Sequence, residues 1–250
     1  MLLAFYLCKN YLSIAMQENS CLYHFPICPF CRKIRVMLEA TGAIKNCSLR
    51  IENFWEKREK FISINPTGNV PLMIVQKIDE NENKHNTIIW GQNTIIEYLR
   101  NKYPASSLLS GNNEDYANVI KYGEWFDTNF YRDVVGPILE ERVYVVYKKK
   151  RLPNVDVIKV ARRNLEQYIV VFEKLLQGHD FIANNEFSFA DVVLSSHISS
   201  LDYLGEINWQ NYPIFKEWYL IIKSKLIFRD LLYDILPNIR QSENYRELDF

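Results

Sequence analysis

Net charge is the first thing this sequence lacks. Thirty Lys and Arg residues are matched by thirty Asp and Glu. Such a chain has no overall basic field with which to hold nucleic acid or an anionic membrane. Cysteine is scarce and lopsided: Cys8, Cys21, Cys28, Cys31 and Cys47 are odd in number and all fall in the first fifth of the chain. A secreted disulfide framework uses an even set spread along the sequence, so a reducing, cytoplasmic setting is expected. No second Cys/His pair with ligand spacing accompanies Cys28 and Cys31, which argues against zinc; no metal is expected. Internal repeats and low-complexity segments are absent. No run is long enough to span a bilayer. The nearest approach, Met1 to Ala15 (MLLAFYLCKNYLSIA), is interrupted by Lys9 and lacks the basic start and small-residue cleavage site of a signal peptide. It is expected to be an extension outside the fold, with Met16 as the true start.

What is present suits an ordinary globular protein, with 48% hydrophobic and 24% charged residues. An aromatic share of 14% favours a dense core or an interface. Cys21 to Phe25 reads as a strand bounded by Pro26. Ile34, Met37 and Leu38 recur at helical spacing after Cys31, and Gly42 stops that helix. Ser48 to Ile51 reads as a strand and Trp55 to Ile64 as a short helix. Val70 to Gln76 and Thr87 to Trp90 read as strands joined by a polar hairpin, and Thr94 to Asn101 as a helix. The order βαβαββα predicts a parallel pair with a right-handed crossover, extended by antiparallel strands, the thioredoxin-like arrangement. Beyond it only helices are expected: Asp115 to Lys150, kinked or split at Gly136-Pro137, Val155 to Gln177, Ser188 to Tyr203, Pro213 to Leu226, and a short one near Phe228 to Leu232. The predicted organisation is an N-terminal extension over 1–20, a thioredoxin-like α/β domain over 21–101, a linker over 102–114, an all-α domain over 115–238 and a tail over 239–250.

Three motifs carry chemistry or its scaffold. Cys28-Pro29-Phe30-Cys31 places two thiols where a strand turns into a helix, with Arg32, Lys33 and Arg35 just after. Helix N-terminal N–H groups and nearby cations favour thiolate over thiol. Cys28 is therefore a candidate nucleophile for a disulfide or an electrophile, and Cys31 a candidate resolving thiol; two semi-buried side chains at a turn are an equally good reading. Asn65-Pro66-Thr67-Gly68-Asn69-Val70-Pro71 has the shape of a tight turn ending in a cis proline. The backbone of Val70 would then lie beside the thiols, free to pair with a peptide laid alongside. Ser188-Phe189-Ala190-Asp191 is an S-x-x-D capping box and is structural. His24, His85, His179 and His197 lack partner spacing and read as packing or surface residues.

These motifs, in this order, resemble the glutathione S-transferase superfamily from about Cys21 onward. The resemblance implies a thioredoxin-like N-terminal domain, an all-α C-terminal domain, usually a homodimer, and a glutathione site. There Cys28 would face the glutathione sulfur, and Val70, ahead of Pro71, would pair with its cysteinyl backbone. A second substrate would lie against Tyr122, Trp125 and Tyr131. The family's Glu-Ser pair before the last helix of the first domain is Gly91-Gln92 here, followed by Asn93. Gln92 and Asn93 keep hydrogen-bonding capacity, but a carboxylate partner for the substrate ammonium is lost, and glutathione should be held loosely.

A narrower resemblance rests on Leu22-Tyr23-His24-Phe25-Pro26, Phe54-Trp55-Glu56-Lys57-Arg58-Glu59, Glu124-Trp125-Phe126-Asp127, Ser200-Leu201-Asp202-Tyr203-Leu204 and the terminal Tyr245-Arg246-Glu247-Leu248-Asp249-Phe250. These are similar to the GST-like, FtsZ-localised division proteins of alphaproteobacteria. That resemblance implies binding to FtsZ filaments, with Trp55, Tyr245, Leu248, Asp249 and Phe250 as candidate contacts. The competing expectation is an enzyme, a glutathione transferase or thiol transferase using Cys28. A third couples oxidation of the Cys28–Cys31 pair to partner affinity.

Overall fold

The computed structural model describes residues 18–78, 82–104, 108, 113–183 and 185–248. The N-terminal stretch read as an extension lies outside them up to residue 17, as do most of the linker and the last two residues of the tail. Strand β1 (Asn19–His24) already includes two residues assigned to that extension.

A four-stranded sheet forms the first half, in the order β2-β1-β3-β4. Strand β1 pairs parallel with β2 (Cys47–Ile51) and antiparallel with β3 (Leu72–Ile78). Strand β4 (Lys84–Trp90) continues the sheet antiparallel to β3, in a register that sets Leu72 opposite Trp90. The mixed sheet and the helices around it are the expected thioredoxin-like arrangement. Leu22, Leu72, Met73 and Val75 are buried, whereas edge strand β2 keeps Leu49 and Ile51 exposed.

Helix α1 (Pro29–Ala40) crosses from β1 to β2. Proline fits its first position because that N–H has no helical partner in any case. The helix ends where Gly42 takes φ 71°, a left-handed conformation glycine adopts without penalty. The segment predicted as one helix over Trp55 to Ile64 divides into a 3₁₀ turn (Phe54–Glu56) and a single helical turn, α2 (Glu59–Ile62), because Lys57 goes left-handed between them. Helix α3 (Gln92–Lys102) closes this half.

The second half is all helical. Helix α4 runs over 113–148 without a break, and the split expected at Gly136-Pro137 does not occur. Two π-helical stretches, Phe126–Val135 and Glu140–Tyr144, lie on either side of the Gly136–Leu139 turn. In the first of them bonding is already displaced by one residue, so that Gly136 N–H donates to Tyr131 O, and the proline enters a locally widened helix instead of breaking a regular one. Helix α5 (Val155–Leu176) is capped by Asn154, whose Oδ1 accepts from the N–H groups of Asp156 and Val157.

Helix α6 (Phe189–Tyr203) is buried on every side, as befits the centre of a helical domain. Its serines satisfy themselves locally: the Ser196 hydroxyl donates to Val192 O at 2.7 Å and that of Ser199 to Ser196 O at 3.0 Å. The capping box is present, with Ser188 N–H donating to Asp191 Oδ2 at 3.0 Å. Asp191 also accepts from Ile182 N–H and Trp218 Nε1, each at 3.0 Å, so one carboxylate joins a loop, a helix start and helix α7 (Pro213–Ser224). Helix α8 (Leu226–Arg229), a 3₁₀ turn (Asp230–Tyr233) and a C-terminal segment of successive turns follow, with Ile239 N–H donating to Leu236 O and Tyr245 N–H to Ser242 O.

Candidate thiol site between the two halves

The site begins with the turn that carries Cys28. Its carbonyls are pinned by the second half of the molecule. Ser200 on α6 donates to Ile27 O at 2.8 Å, and Arg32 Nε donates to Pro26 O at 2.8 Å while its Nη1 reaches Ser199 Oγ at 2.8 Å. Arg32 is wholly buried. The start of α1 is thus held from behind by side chains more than 160 residues away in sequence. Lys33 is buried beside it and pairs with Asp127 of α4; His197 Nε2 lies 3.0 Å from the other oxygen of the same carboxylate. His197 is thus partnered, which sequence spacing could not show. Burial drives its pKa down against the pull of Asp127. Burial disfavours the Asp127 carboxylate too, but Lys33 and His197 outweigh it and hold that pKa below the ordinary value.

The opposite wall is the turn before β3. Asn65, fully buried, organises it: its Nδ2 donates to Asn69 O at 2.6 Å, and its Oδ1 accepts from Thr67 Oγ1 at 2.7 Å and Thr67 N–H at 3.2 Å. Gly68 has φ 63°, so the backbone favours glycine there, and an added Cβ, 2.7 Å from Ile62 Cδ1, would also push the ends of the Ile62 and Lys57 side chains aside. The Val70–Pro71 peptide is cis, as the motif predicts. Among the described residues, no hydrogen bond engages the N–H or C=O of Val70.

Between these walls lies a cavity of about 560 Å³. Cys28, Val70, Pro71, Gln92 and Asn93 all line it, so the thiol and the proline turn share one space. Cys31 is completely buried and is not part of the lining; Cys28, though only 5% exposed, is. Burial alone would raise the pKa of Cys28. Hydrogen bonds from the Cys31 thiol and from the N–H groups of Cys31 and Phe30, together with the Lys33 charge, outweigh it and bring the thiol below its ordinary value. Cys31 moves the other way: burial, and then its bond to and charge repulsion from Cys28, push it well up. The two thiols of the pair are therefore shifted in opposite directions.

Of the three aromatics expected in the second-substrate cleft, Tyr131 lines the cavity and the others do not. Tyr122 stacks on Phe126 at 6.3 Å, and Trp125 lies against Tyr168 and Phe172 at 5.7 and 5.8 Å, inside the helical domain. Trp125 thus faces α5, and Tyr122 packs along its own helix. The places are taken by Phe30, Phe54, Trp90, Glu140 and Tyr144. Gly136 admits the Tyr131 ring, since a Cβ there would stand 3.2 Å from it and 3.0 Å from Tyr131 O. Gln92 lies in the lining, and its Oε1 is buried without a partner. Burial, before the charge of Cys28, raises the pKa of Tyr131 and Tyr144, which are neutral hydroxyls at neutral pH.

The remaining candidates separate. Trp55 is half-buried, stacked on Tyr147 at 5.4 Å, and lines a neighbouring groove of about 610 Å³ with Lys57, Lys148, Lys150 and Arg151. Tyr245, expected among the contacts of the tail, is fully buried: its hydroxyl donates to Leu231 O at 2.8 Å and its ring meets Tyr203 at 5.0 Å. It anchors the tail and cannot present a free surface. Leu248 is 40% exposed; Asp249 and Phe250 lie outside the described residues. Among the described residues no cluster of His, Cys, Asp and Glu could hold a metal ion, and no helix is long and apolar enough to cross a membrane.

A thioredoxin-like domain joined to an all-α domain, with a cysteine at a helix start and a cis-proline turn of the first domain lining one cavity that Tyr131, Glu140 and Tyr144 of the second complete, defines the class: a two-domain protein of the thioredoxin-like plus helical kind. The chain belongs to the glutathione S-transferase family. The model of the glutathione S-transferase N-terminal domain matches residues 22–107 and that of the C-terminal domain residues 140–225. A glutathione S-transferase from Rhodospirillum rubrum is 31% identical, with 92% of this chain and 100% of that one covered, and superposes with a TM-score of 0.83. FtsZ-localized protein A of Caulobacter vibrioides is 28% identical over 94% of this chain and its own full length. The structure of FzlA from C. crescentus superposes with a TM-score of 0.85 at 27% identity, covering 93% of this chain and all of that one. Glutathione S-transferase D7 of Drosophila melanogaster is 23% identical over 80% of this chain and 82% of its own.

Proposed function

We propose that this protein is a cytoplasmic cell-division factor that binds FtsZ filaments as a homodimer. The observation that carries the reading is likeness over essentially the whole chain to a protein named for its localisation with FtsZ. Trp55 and the end of the tail, Leu248 with Asp249 and Phe250, supply the contact surface, and the buried Tyr245 anchors the chain three residues before Leu248. Two such surfaces on one dimer would bridge filaments through effective concentration. The domain organisation set out from the sequence goes with this reading, the interdomain cleft being retained from the family. Co-sedimentation with FtsZ filaments at near-physiological salt tests it: the protein pellets with filaments and stays in solution without them. Absence from the pellet sinks the proposal.

A second reading is supported by the placement of Cys28 on the cavity lining opposite Val70 and Pro71. It makes the protein a glutathione transferase or thiol transferase. Val70 N–H and C=O would receive the cysteinyl backbone of glutathione, while the Gly91–Thr94 side, with Gln92 and Asn93, would meet its γ-glutamyl end without a charged partner. Retention on immobilised glutathione and thiol transfer lost in Cys28→Ser would establish this reading; failure of both would remove it.

A further inference from the structure

The second reading leaves the substrate open, and the lining of the cavity narrows it. Among the described residues fifteen form that lining, and none of them is a lysine, an arginine or a histidine. Its one ionisable acid, Glu140, is paired with Lys148 Nζ at 2.8 Å. Lys33 is committed to Asp127 and forms no part of the wall. Lys57 lines the adjoining groove, where its ammonium donates to Gly68 O at 3.3 Å. The rest of the wall is aromatic (Phe30, Phe54, Trp90) or neutral and polar (Thr67, Asn69, Thr94). A carboxylate seated against this lining would meet none of the lysine and arginine side chains, since Lys57, Lys148, Lys150 and Arg151 belong to the adjoining groove, and charge that is desolvated without a partner is costly. Gln92 Oε1 presents the opposite demand, a buried acceptor that lacks a donor. An uncharged ligand carrying a hydroxyl or amide N–H meets both conditions.

We propose that the Cys28–Cys31 pair is a dithiol that reduces small uncharged disulfides bearing hydroxyl or amide donors, in preference to the carboxylate-bearing disulfide of glutathione. The proposal rests on the thiol-transferase reading and gives its substrate class. Cys28 thiolate attacks one sulfur of the disulfide RSSR; the S–S bond breaks, and RS⁻ leaves and takes up a proton. The mixed disulfide on Cys28 is then attacked by Cys31, which surrenders its proton as its sulfur bonds to Cys28 Sγ and the second RS⁻ departs to be protonated. The protein dithiol is oxidised to one internal disulfide, and RSSR is reduced to two RSH. Cys31 sits one helical turn behind Cys28 and away from the cavity, where it meets Cys28 and no bulky ligand.

The test is a single-turnover oxidation of the reduced full-length chain by bis(2-hydroxyethyl) disulfide and by glutathione disulfide, each rate divided by that of dithiothreitol with the same reagent. Mass spectrometry of tryptic peptides locates the new bond. We expect a Cys28–Cys31 disulfide, formed by the hydroxyethyl reagent with a normalised rate at least about tenfold above that for glutathione disulfide, the value of one lost charge-assisted partner. Cys31→Ser should stop at a mixed disulfide on Cys28. A normalised glutathione rate equal or greater overturns the substrate class and leaves the dithiol standing. No Cys28–Cys31 bond with either reagent overturns the dithiol itself.

Discussion

Arg35 Nη1 donates to both oxygens of Asp234, at 2.9 and 2.8 Å, and so ties the thiol-bearing helix to a segment 199 residues further along the chain. Arg32 reaches the same carboxylate at 3.5 Å. Both guanidinium groups are buried, one entirely and one at 6% exposure. Removing the carboxylate leaves two desolvated cations with one anion fewer than they need. Asp234→Ala should therefore destabilise the protein by about 3–5 kcal/mol, read as a shift in the urea midpoint at unchanged slope. A loss below about 1 kcal/mol would mean the pair is solvated and contributes as surface pairs do.

The two cysteines should differ in reactivity. Cys28 is held below the ordinary thiol range and Cys31 well above it. Limited alkylation of the native protein with iodoacetamide at pH 7 should label Cys28 first and leave Cys31 unmodified, as peptide mapping would read out. Preferential labelling of Cys31 would reverse the assignment of the two thiols.

His24 gives the fold a weakness toward acid. Burial first, and then Arg35 and Arg32, lower its pKa from the ordinary 6.5 to about 3. The folded protein keeps this ring neutral while the unfolded chain protonates it. Its contribution is complete above pH 6.5 and is lost as pH falls from there toward 3, at about 1.4 kcal/mol per pH unit in the steepest range. His24→Gln should flatten stability between pH 6 and 4, measured by denaturant unfolding across that range. An unchanged profile would place the acid sensitivity elsewhere.

At the start of α6, Ser188→Ala should cost about 1 kcal/mol and leave thiol chemistry untouched. Asp191→Ala should cost more, about 3 kcal/mol, because it strands Ile182 N–H and Trp218 Nε1 as well as the cap. Thermal unfolding of both variants checks the order, and equal losses would show that the cap is all that Asp191 supplies.

The tail divides into anchor and free end. Tyr245→Ala removes a wholly buried ring and should cost about 3–5 kcal/mol, whereas Leu248→Ala should leave stability within about 0.5 kcal/mol and weaken co-sedimentation with FtsZ. A Leu248→Ala protein that pellets as the wild type does would remove this residue from the contact.

Local chemistry made much of this legible in advance. Gly42, Pro66, Gly68 and the Ser188–Asp191 box announce their turns and caps because each acts through its own backbone within a few residues. The cis Val70–Pro71 bond and the thiols at a helix start were readable for the same reason. Helix α4 was not. Its π-helical stretches carry no local signal, and Tyr122 and Trp125, the α4 aromatics that the family resemblance put beside the site, lie outside the lining that Glu140 and Tyr144 join.

The amino-acid order by itself determined most of the elements, the cap of α6 and the division into an α/β and a helical half, since those follow from periodicity and short-range bonding. Only the tertiary structure decided that Tyr245 is core, that Arg32 and Arg35 share Asp234, and that no lysine, arginine or histidine stands among the described residues lining the thiol cavity. These are meetings of residues far apart in the chain, settled by which desolvated charges and rings found partners when the two halves packed together.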